Sequence, residues 1–216
     1  MKRIYQIVIA LCLPLALCGP VKAQHTGPYV GGVLGGNMLM DAKATAAQGD
    51  SGLKFDPALQ WSAVAGWDLA PGNPVGEGRL EIEYTRRSNT IKEIRFSDGT
   101  LNGGGDLKVD SLLFNVYGFS RDNRPWSPYA TVGAGAARME ASDIKVAGQP
   151  FASGSSVVFA YQLGVGIDLA LTSYLNLDIG YRFFNSTKPT FTEVDGNSFK
   201  MDYFSHSAVL GMRFGF

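Results

Sequence analysis

The chain has 216 residues, with 19 Lys and Arg against 19 Asp and Glu, so its formal net charge is zero. That balance gives no basis for nucleic-acid binding. A hydrophobic content of 45 % with 18 % charged residues is too apolar for disorder and too polar on average for a helical membrane protein.

Residues 1–23 read as a cleaved signal peptide, leaving 24–216 as the mature domain. Lys2 and Arg3 give a basic start, Ile7 to Leu17 is mostly apolar, and Val21-Lys22-Ala23 precedes a cut before Gln24. The apolar core is shorter than the roughly 20 residues a spanning helix needs. Both cysteines, Cys12 and Cys18, fall within this segment. Leu17, directly before Cys18, fits lipoprotein processing poorly. The mature chain is therefore expected to hold no disulfide.

Beyond Ala23 the repeating signal has period two. It predicts strands over 28–38, 58–69, 77–88, 108–120, 128–140, 156–170, 173–185 and 202–216. In the second strand Leu59, Trp61, Ala63, Ala65, Trp67 and Leu69 alternate with Gln60, Ser62, Gly66 and Asp68. In the third, Leu80, Ile82 and Tyr84 alternate with Glu81, Glu83 and Thr85. The sixth sets Phe159, Tyr161, Leu163, Val165, Ile167 and Leu169 against Ala160, Gln162, Gly164, Gly166 and Asp168. The seventh sets Leu175, Leu177, Ile179, Tyr181 and Phe183 against Asn176, Asp178, Gly180 and Arg182. The last carries Leu210, Met212, Phe214 and Phe216 at every second position.

The second face is small and polar. Rows of glycine weaken a solvent-facing strand but suit the crowded interior of a narrow barrel. The gaps alternate as well. Residues 39–57, 89–107, 141–155 and 186–201 are long and polar, whereas 70–76, 121–127 and 171–172 are short. Antiparallel outer-membrane barrels combine long external loops, short periplasmic turns and apolar-out, polar-in strands. Tyr29, Trp61, Trp67, Tyr84, Trp126, Tyr129, Tyr174 and Tyr203 fall near strand ends, where amphipathic rings favour headgroups. The expected fold class is all-β, a closed antiparallel eight-stranded transmembrane β-barrel.

Three segments carry a family likeness: "GPYVGGVLGGNM" from Gly27 to Met38, "PWSPYATVGAGAARM" and the closing "SHSAVLGMRFGF". The chain resembles the eight-stranded outer-membrane β-barrel family of the OmpA membrane domain, OmpX and Ail. The resemblance implies a rigid barrel with variable external loops. It implies residence in the outer membrane of a Gram-negative bacterium, with outer-membrane lipid and lipopolysaccharide as surroundings. The ending Leu210, Met212, Phe214, Phe216 resembles the C-terminal signal read by the outer-membrane assembly machinery. A monomer is expected. Members of the family differ in function, so the fold carries no activity with it.

Catalysis is not expected. A hydrolytic site needs nucleophile, base and orienting acid within reach. His206 and Ser207 are adjacent on a strand and so point to opposite faces. Gly103-Gly104-Gly105 lacks the GK[ST] continuation of a phosphate loop. No Cys/His spacing suits a metal. Neither metal nor cofactor is expected.

The inward charges Asp68, Arg79, Glu81, Glu83, Arg87, Asp168, Asp178, Arg182 and Arg213 are placed in the lumen or at its mouths. Eight strands leave an interior just wide enough for side chains, so these residues are expected to plug it, with Glu83 paired to Arg182 and Glu81 to Arg213. The functional expectation is an envelope-structural and surface-presenting protein. A narrow small-solute or ion pore, and an adhesin whose loops bind a host or matrix partner, are the alternatives.

Overall fold

The computed structural model describes residues 26–46, 49–69, 77–96, 99–121, 125–193 and 197–216. The segment expected to be a signal peptide, with Cys12 and Cys18, lies outside the described residues, as do residues 70–76 and 122–124 of the expected turns. The described chain is antiparallel β throughout. Its strands are β1 (Gly27–Leu39), β2 (Ala42–Ala46), β3 (Gly49–Phe55), β4 (Ala58–Asp68), β5 (Gly78–Phe96), β6 (Gly99–Phe119), β7 (Trp126–Val146), β8 (Gln149–Ala170), β9 (Leu175–Ser186), β10 (Thr190–Glu193), β11 (Ser198–Met201) and β12 (Phe204–Gly215).

β1 pairs with β4 on one side and with β12 on the other. β4 then pairs with β5, and consecutive hairpin ladders join β5 to β6, β7, β8 and β9. β9 pairs with β12, so the ladders form a closed circuit. Closure gives the last strand a partner on each side: Leu210 lies opposite Leu34 of β1 and Ile179 of β9. No edge is left along these strands to invite pairing with another chain.

The sequence pattern predicts eight strands, and the described residues form twelve. The difference arises in the segments expected as polar loops. Residues 89–107 and 141–155 largely continue β5, β6, β7 and β8 beyond the expected strand ends. Within 39–57 and 186–201 the chain forms β2, β3, β10 and β11. Pro57 and Pro189 fall at two of the breaks that divide these strands from β4 and β9. Proline brings no N–H to a ladder, which favours an interruption there. β3 pairs with β5, β2 with β3, β11 with β2, β10 with β11, and β10 with β8. A second circuit therefore runs through β2, β3, β5, β6, β7, β8, β10 and β11, sharing its four long strands with the first.

The two circuits are inside-out relative to each other. Along the β1/β4/β12 circuit the outward residues are apolar, including Leu34, Ile82, Leu112, Phe114, Val165, Ile179, Leu210 and Phe214, all exposed. Their inward neighbours include Gln60, Ser62, Glu83, Asn115, Gln162 and Asp178, all buried. Beyond this level the inward positions of the same strands become apolar: Ile91, Ile94, Leu107, Val109, Ala137, Met139, Ala141 and Ile144. They pack with Leu39, Leu53, Phe55, Phe184, Phe191, Phe199 and Met201 into one hydrophobic core. The outward residues there are polar, among them Lys92, Lys108, Glu140 and Lys200.

An outward row marks the reversal. Arg86 clasps Asp110 through Nε–Oδ1 at 2.7 Å and Nη2–Oδ2 at 2.9 Å, and Tyr84 donates to the same carboxylate at 2.7 Å. Arg138 is the register partner of Asp110 on β7. An exposed apolar band of this extent is rare on a soluble monomer, whose largest patch is about 300–600 Å². Lipid around the first circuit and water around the second account for the opposite patterns.

Candidate functional site

The interior of the first circuit is the chemically distinctive region of the molecule. Five carboxylates, Asp68, Glu81, Glu83, Asp168 and Asp178, and four guanidiniums, Arg79, Arg87, Arg182 and Arg213, are buried there. The side chain of Arg121, at the end of β6, is also almost wholly buried and pairs with Asp68. Among the described residues these interior charges balance, five against five. Balance matters because an unpaired ion in such a place is strongly destabilising.

At one end, Arg213 of β12 reaches Asp168 of β8 at 2.6 Å and Asp68 of β4 at 3.3 Å. Asn176 of β9 also donates to Asp168, at 3.2 Å. Arg121 donates to the Leu69 carbonyl at 3.0 Å as well as contacting Asp68. This cluster ties β4, β8, β9 and β12 to the end of β6.

Arg79 occupies the middle. Its guanidinium carbon lies 3.7 Å from the Tyr117 ring centroid, with Phe119 at 5.3 Å and Tyr29 and Tyr129 at 5.7 and 5.8 Å. A cation over ring faces is attracted by their quadrupoles, more so when water is excluded. The hydroxyls of the same rings hold the carboxylates. Tyr29 donates to Glu81 at 2.8 Å, Tyr117 to Glu81 at 2.6 Å, and Tyr129 to Asp178 at 2.8 Å. Tyr129 in turn accepts from Arg182 at 2.9 Å.

The inward glycines make room for these rings. A Cβ on Gly166 or Gly180 would collide with the Tyr129 hydroxyl, and one on Gly66 with that of Tyr29. Tyr29, Tyr129 and Tyr203 therefore differ from the sequence expectation, which placed them at headgroup level. All three are buried inside, the first two by carboxylate bonds and Tyr203 by edge-on packing against Phe184. Trp61, Trp67, Trp126 and Tyr174 are exposed on the outer surface.

Above Arg79 the network becomes neutral around its acids. Glu83 accepts from Thr85 at 2.8 Å, Asn115 at 2.7 Å and Gln162 at 2.8 Å. Arg87 donates to Gln60 at 3.2 Å and Ser111 at 2.9 Å, and lies 4.2 Å from the Phe184 ring centroid. Phe184 belongs to the apolar core of the second circuit, so the charged interior ends where that core begins.

The expected ion pairs are replaced by others. Arg182 lies 3.8 Å from Asp178, four residues back on the same face of its own strand, and not against Glu83. Arg213 takes Asp68 and Asp168 in place of Glu81, whose partners are two tyrosines, Asn115 and a distant Arg79. Counting depth along strands ignores barrel tilt, which shifts neighbouring strands past each other. Sequence reasoning also missed Arg121, Asn115 and Tyr117. Asn115 and Tyr117 could have been found by extending the inward alternation along β6.

His206 and Ser207 do lie on opposite faces. Ser207 points inward and donates to Gln60 at 3.0 Å. His206 is half-buried on the outer side, bonded to the Tyr181 hydroxyl and ringed by Phe183 and Phe204. At the end of the chain, Leu210, Met212, Phe214 and Phe216 are exposed on the outer surface.

These features match a known family. The chain belongs to the outer membrane protein β-barrel domain family, whose model matches residues 9–214. It is therefore an outer-membrane protein. No curated protein matches it. Among solved structures it is similar to Neisserial surface protein A at 20 % identity and a TM-score of 0.56, covering 88 % of this chain and 98 % of that one. It is similar to OprG from Pseudomonas aeruginosa at 16 % identity and a TM-score of 0.54, covering 91 % and 100 % respectively. The outer membrane protease OmpT from Escherichia coli aligns at 8 % identity and a TM-score of 0.54, over 88 % of this chain and 97 % of that one. At such identities the likeness shows the fold alone.

Proposed function

We propose that the first circuit is an eight-stranded, monomeric transmembrane barrel that neither conducts nor catalyses. On this reading it serves envelope structure and holds the second circuit outside the cell as a presenting surface. The observation that carries it is the filling of the interior at both levels. Charged side chains occupy the lower part, and a packed apolar core closes the upper part. A polar route across the molecule would have to cross that core, where an ion finds no compensating partner.

The same arrangement bears on catalysis. His206 is the one histidine among the described residues, and its ring is engaged with Tyr181 on the lipid side. Ser207 faces the interior. The two cannot act as base and nucleophile on one substrate. The residues of the charged interior act here as a plug. Leu210, Met212, Phe214 and Phe216 act as the signal presented to the assembly machinery, with residues 1–23 removed on export. Outer-membrane lipid and lipopolysaccharide surround the apolar band, and an extracellular ligand would meet the four hairpin tips.

Planar-bilayer recording on the refolded protein tests the central claim. The expected trace shows no steady conductance. Large, steady channels would reject the plug and favour the pore. Exchange of the hairpin tips, followed by a binding assay on host or matrix material, tests for adhesion.

A further inference from the structure

Three ion pairs of the interior share an unusual length. Arg79 Nε lies 3.8 Å from Glu81, Arg79 Nη2 lies 3.6 Å from Asp178, and Arg182 Nη2 lies 3.8 Å from Asp178. The side chains are nevertheless buried. Direct charge-assisted hydrogen bonds run at about 2.7–2.9 Å. A polar contact beyond about 3.5 Å inside a protein raises the question of what sits between the groups.

The same residues line a cavity. Arg79, Glu81, Asp178, Arg182 and Arg213 surround a space of about 10 Å³, with Val209 on its wall. That is close to the minimum of about 10–15 Å³ needed for one water molecule. Several atoms of the lining side chains are buried without a hydrogen-bond partner in the protein. They include Arg79 Nε and Nη1, Arg213 Nε, and the acceptor Asp178 Oδ2. A buried polar atom left unsatisfied is costly, more so on a charged group.

We infer that this cavity is a binding site for a single ordered water molecule, bridging the Arg79 guanidinium to the Asp178 carboxylate. The geometry supplies both kinds of partner a water requires, donors from arginine and an acceptor from the carboxylate. A small anion would also accept from the guanidiniums. It is disfavoured for two reasons. The interior charges already balance, so an anion would add one uncompensated charge to a buried site. It would also face Asp178 Oδ2, to which it has no proton to give. Water accepts from Arg79 and donates to Asp178 at once. The bridge then explains how the Arg79–Asp178 pair remains long without leaving Asp178 Oδ2 orphaned.

The site lies inside the plug proposed above, but its existence does not depend on the absence of conduction. A high-resolution crystal structure of the refolded full mature chain provides the test, with a second crystal exchanged into bromide. The expected result is one density peak at hydrogen-bonding distance from Arg79 and Asp178, without anomalous signal in bromide. A bromide peak there would overturn the inference in favour of an anion. Absence of density, with the three pairs closed to direct hydrogen bonds, would also overturn it. A continuous file of waters through this space, reaching both ends, would overturn the single-water site and the filled interior together.

Discussion

Arg213 shows how much one side chain holds in this molecule. It contacts carboxylates on β4 and β8 from its own place on β12. Replacing it with alanine leaves Asp168 with only Asn176 among the contacts described above, and Asp68 with Arg121. The expected loss for Arg213→Ala is about 3–5 kcal/mol, since a buried charge is stranded. Asp168→Asn in the same background should restore part of it, because the stranded charge is removed. Urea midpoints of the two single variants and the double variant measure the coupling. Simple additivity would reject the pairing. The inward position of Arg213 was legible in the sequence from alternation with Met212 and Phe214. Its partners were not, because they depend on how far each strand slides past the next.

At the level of strands, the polar segments between the expected strands make a different claim from the one their composition suggests. Ile94 is buried in the apolar core that they build. Lys92 and Arg95 beside it, and Lys108 further along β6, are exposed, and each is a trypsin site. Ile94→Ala should destabilise this external part locally, by about 2–5 kcal/mol for a buried Ile. Trypsin on intact cells should then cut it while the lipid-embedded strands stay protected. Lys92→Gln, on the outer side, should leave resistance to cleavage at the remaining sites unchanged. Equal resistance of wild type and Ile94→Ala would contradict the packed core. β12 carries a second strand-level prediction. The Phe216 amide donates to the Pro28 carbonyl at 3.2 Å, which fastens the chain end to the start of β1. Deleting Phe216 should lower outer-membrane yield and weaken the heat-dependent gel shift of the folded protein. Normal yield with a normal shift would dismiss the ending as an assembly signal.

For the whole molecule, orientation follows from the two circuits. The second is polar outside and apolar inside, the ordinary pattern for a protein in water. It should therefore face the medium, with the short turn at 171–174 on the periplasmic side. Asn102→Cys and Gly148→Cys should react with an impermeant thiol reagent on intact cells, and Ser173→Cys should not. Mass spectrometry of the labelled protein reads the result. Labelling of Ser173→Cys to the same degree would overturn the orientation.

The all-β class, the antiparallel order and the inward set from Asp68 to Arg213 could be read from the sequence, because a strand turns alternate side chains to opposite faces whatever its neighbours do. Gly166, Gly180 and Arg182 belonged to the interior on that ground alone. The extent of the strands was hidden. Bulges between Thr90 and Glu93, between Gly104 and Asp106, and between Ala141 and Ile144 interrupt the alternation in the external segments. A bulge adds one residue and reverses the faces after it. The short runs Ala42–Ala46 and Ser198–Met201 are too brief to show a period. Only the tertiary structure decided that these pieces pair into a second circuit with its own core. It alone decided that Tyr29 meets Glu81 and Tyr129 meets Asp178, because register and strand tilt set which side chains meet across the interior. Those depend on every ladder at once, whereas the face of a residue depends only on its own strand.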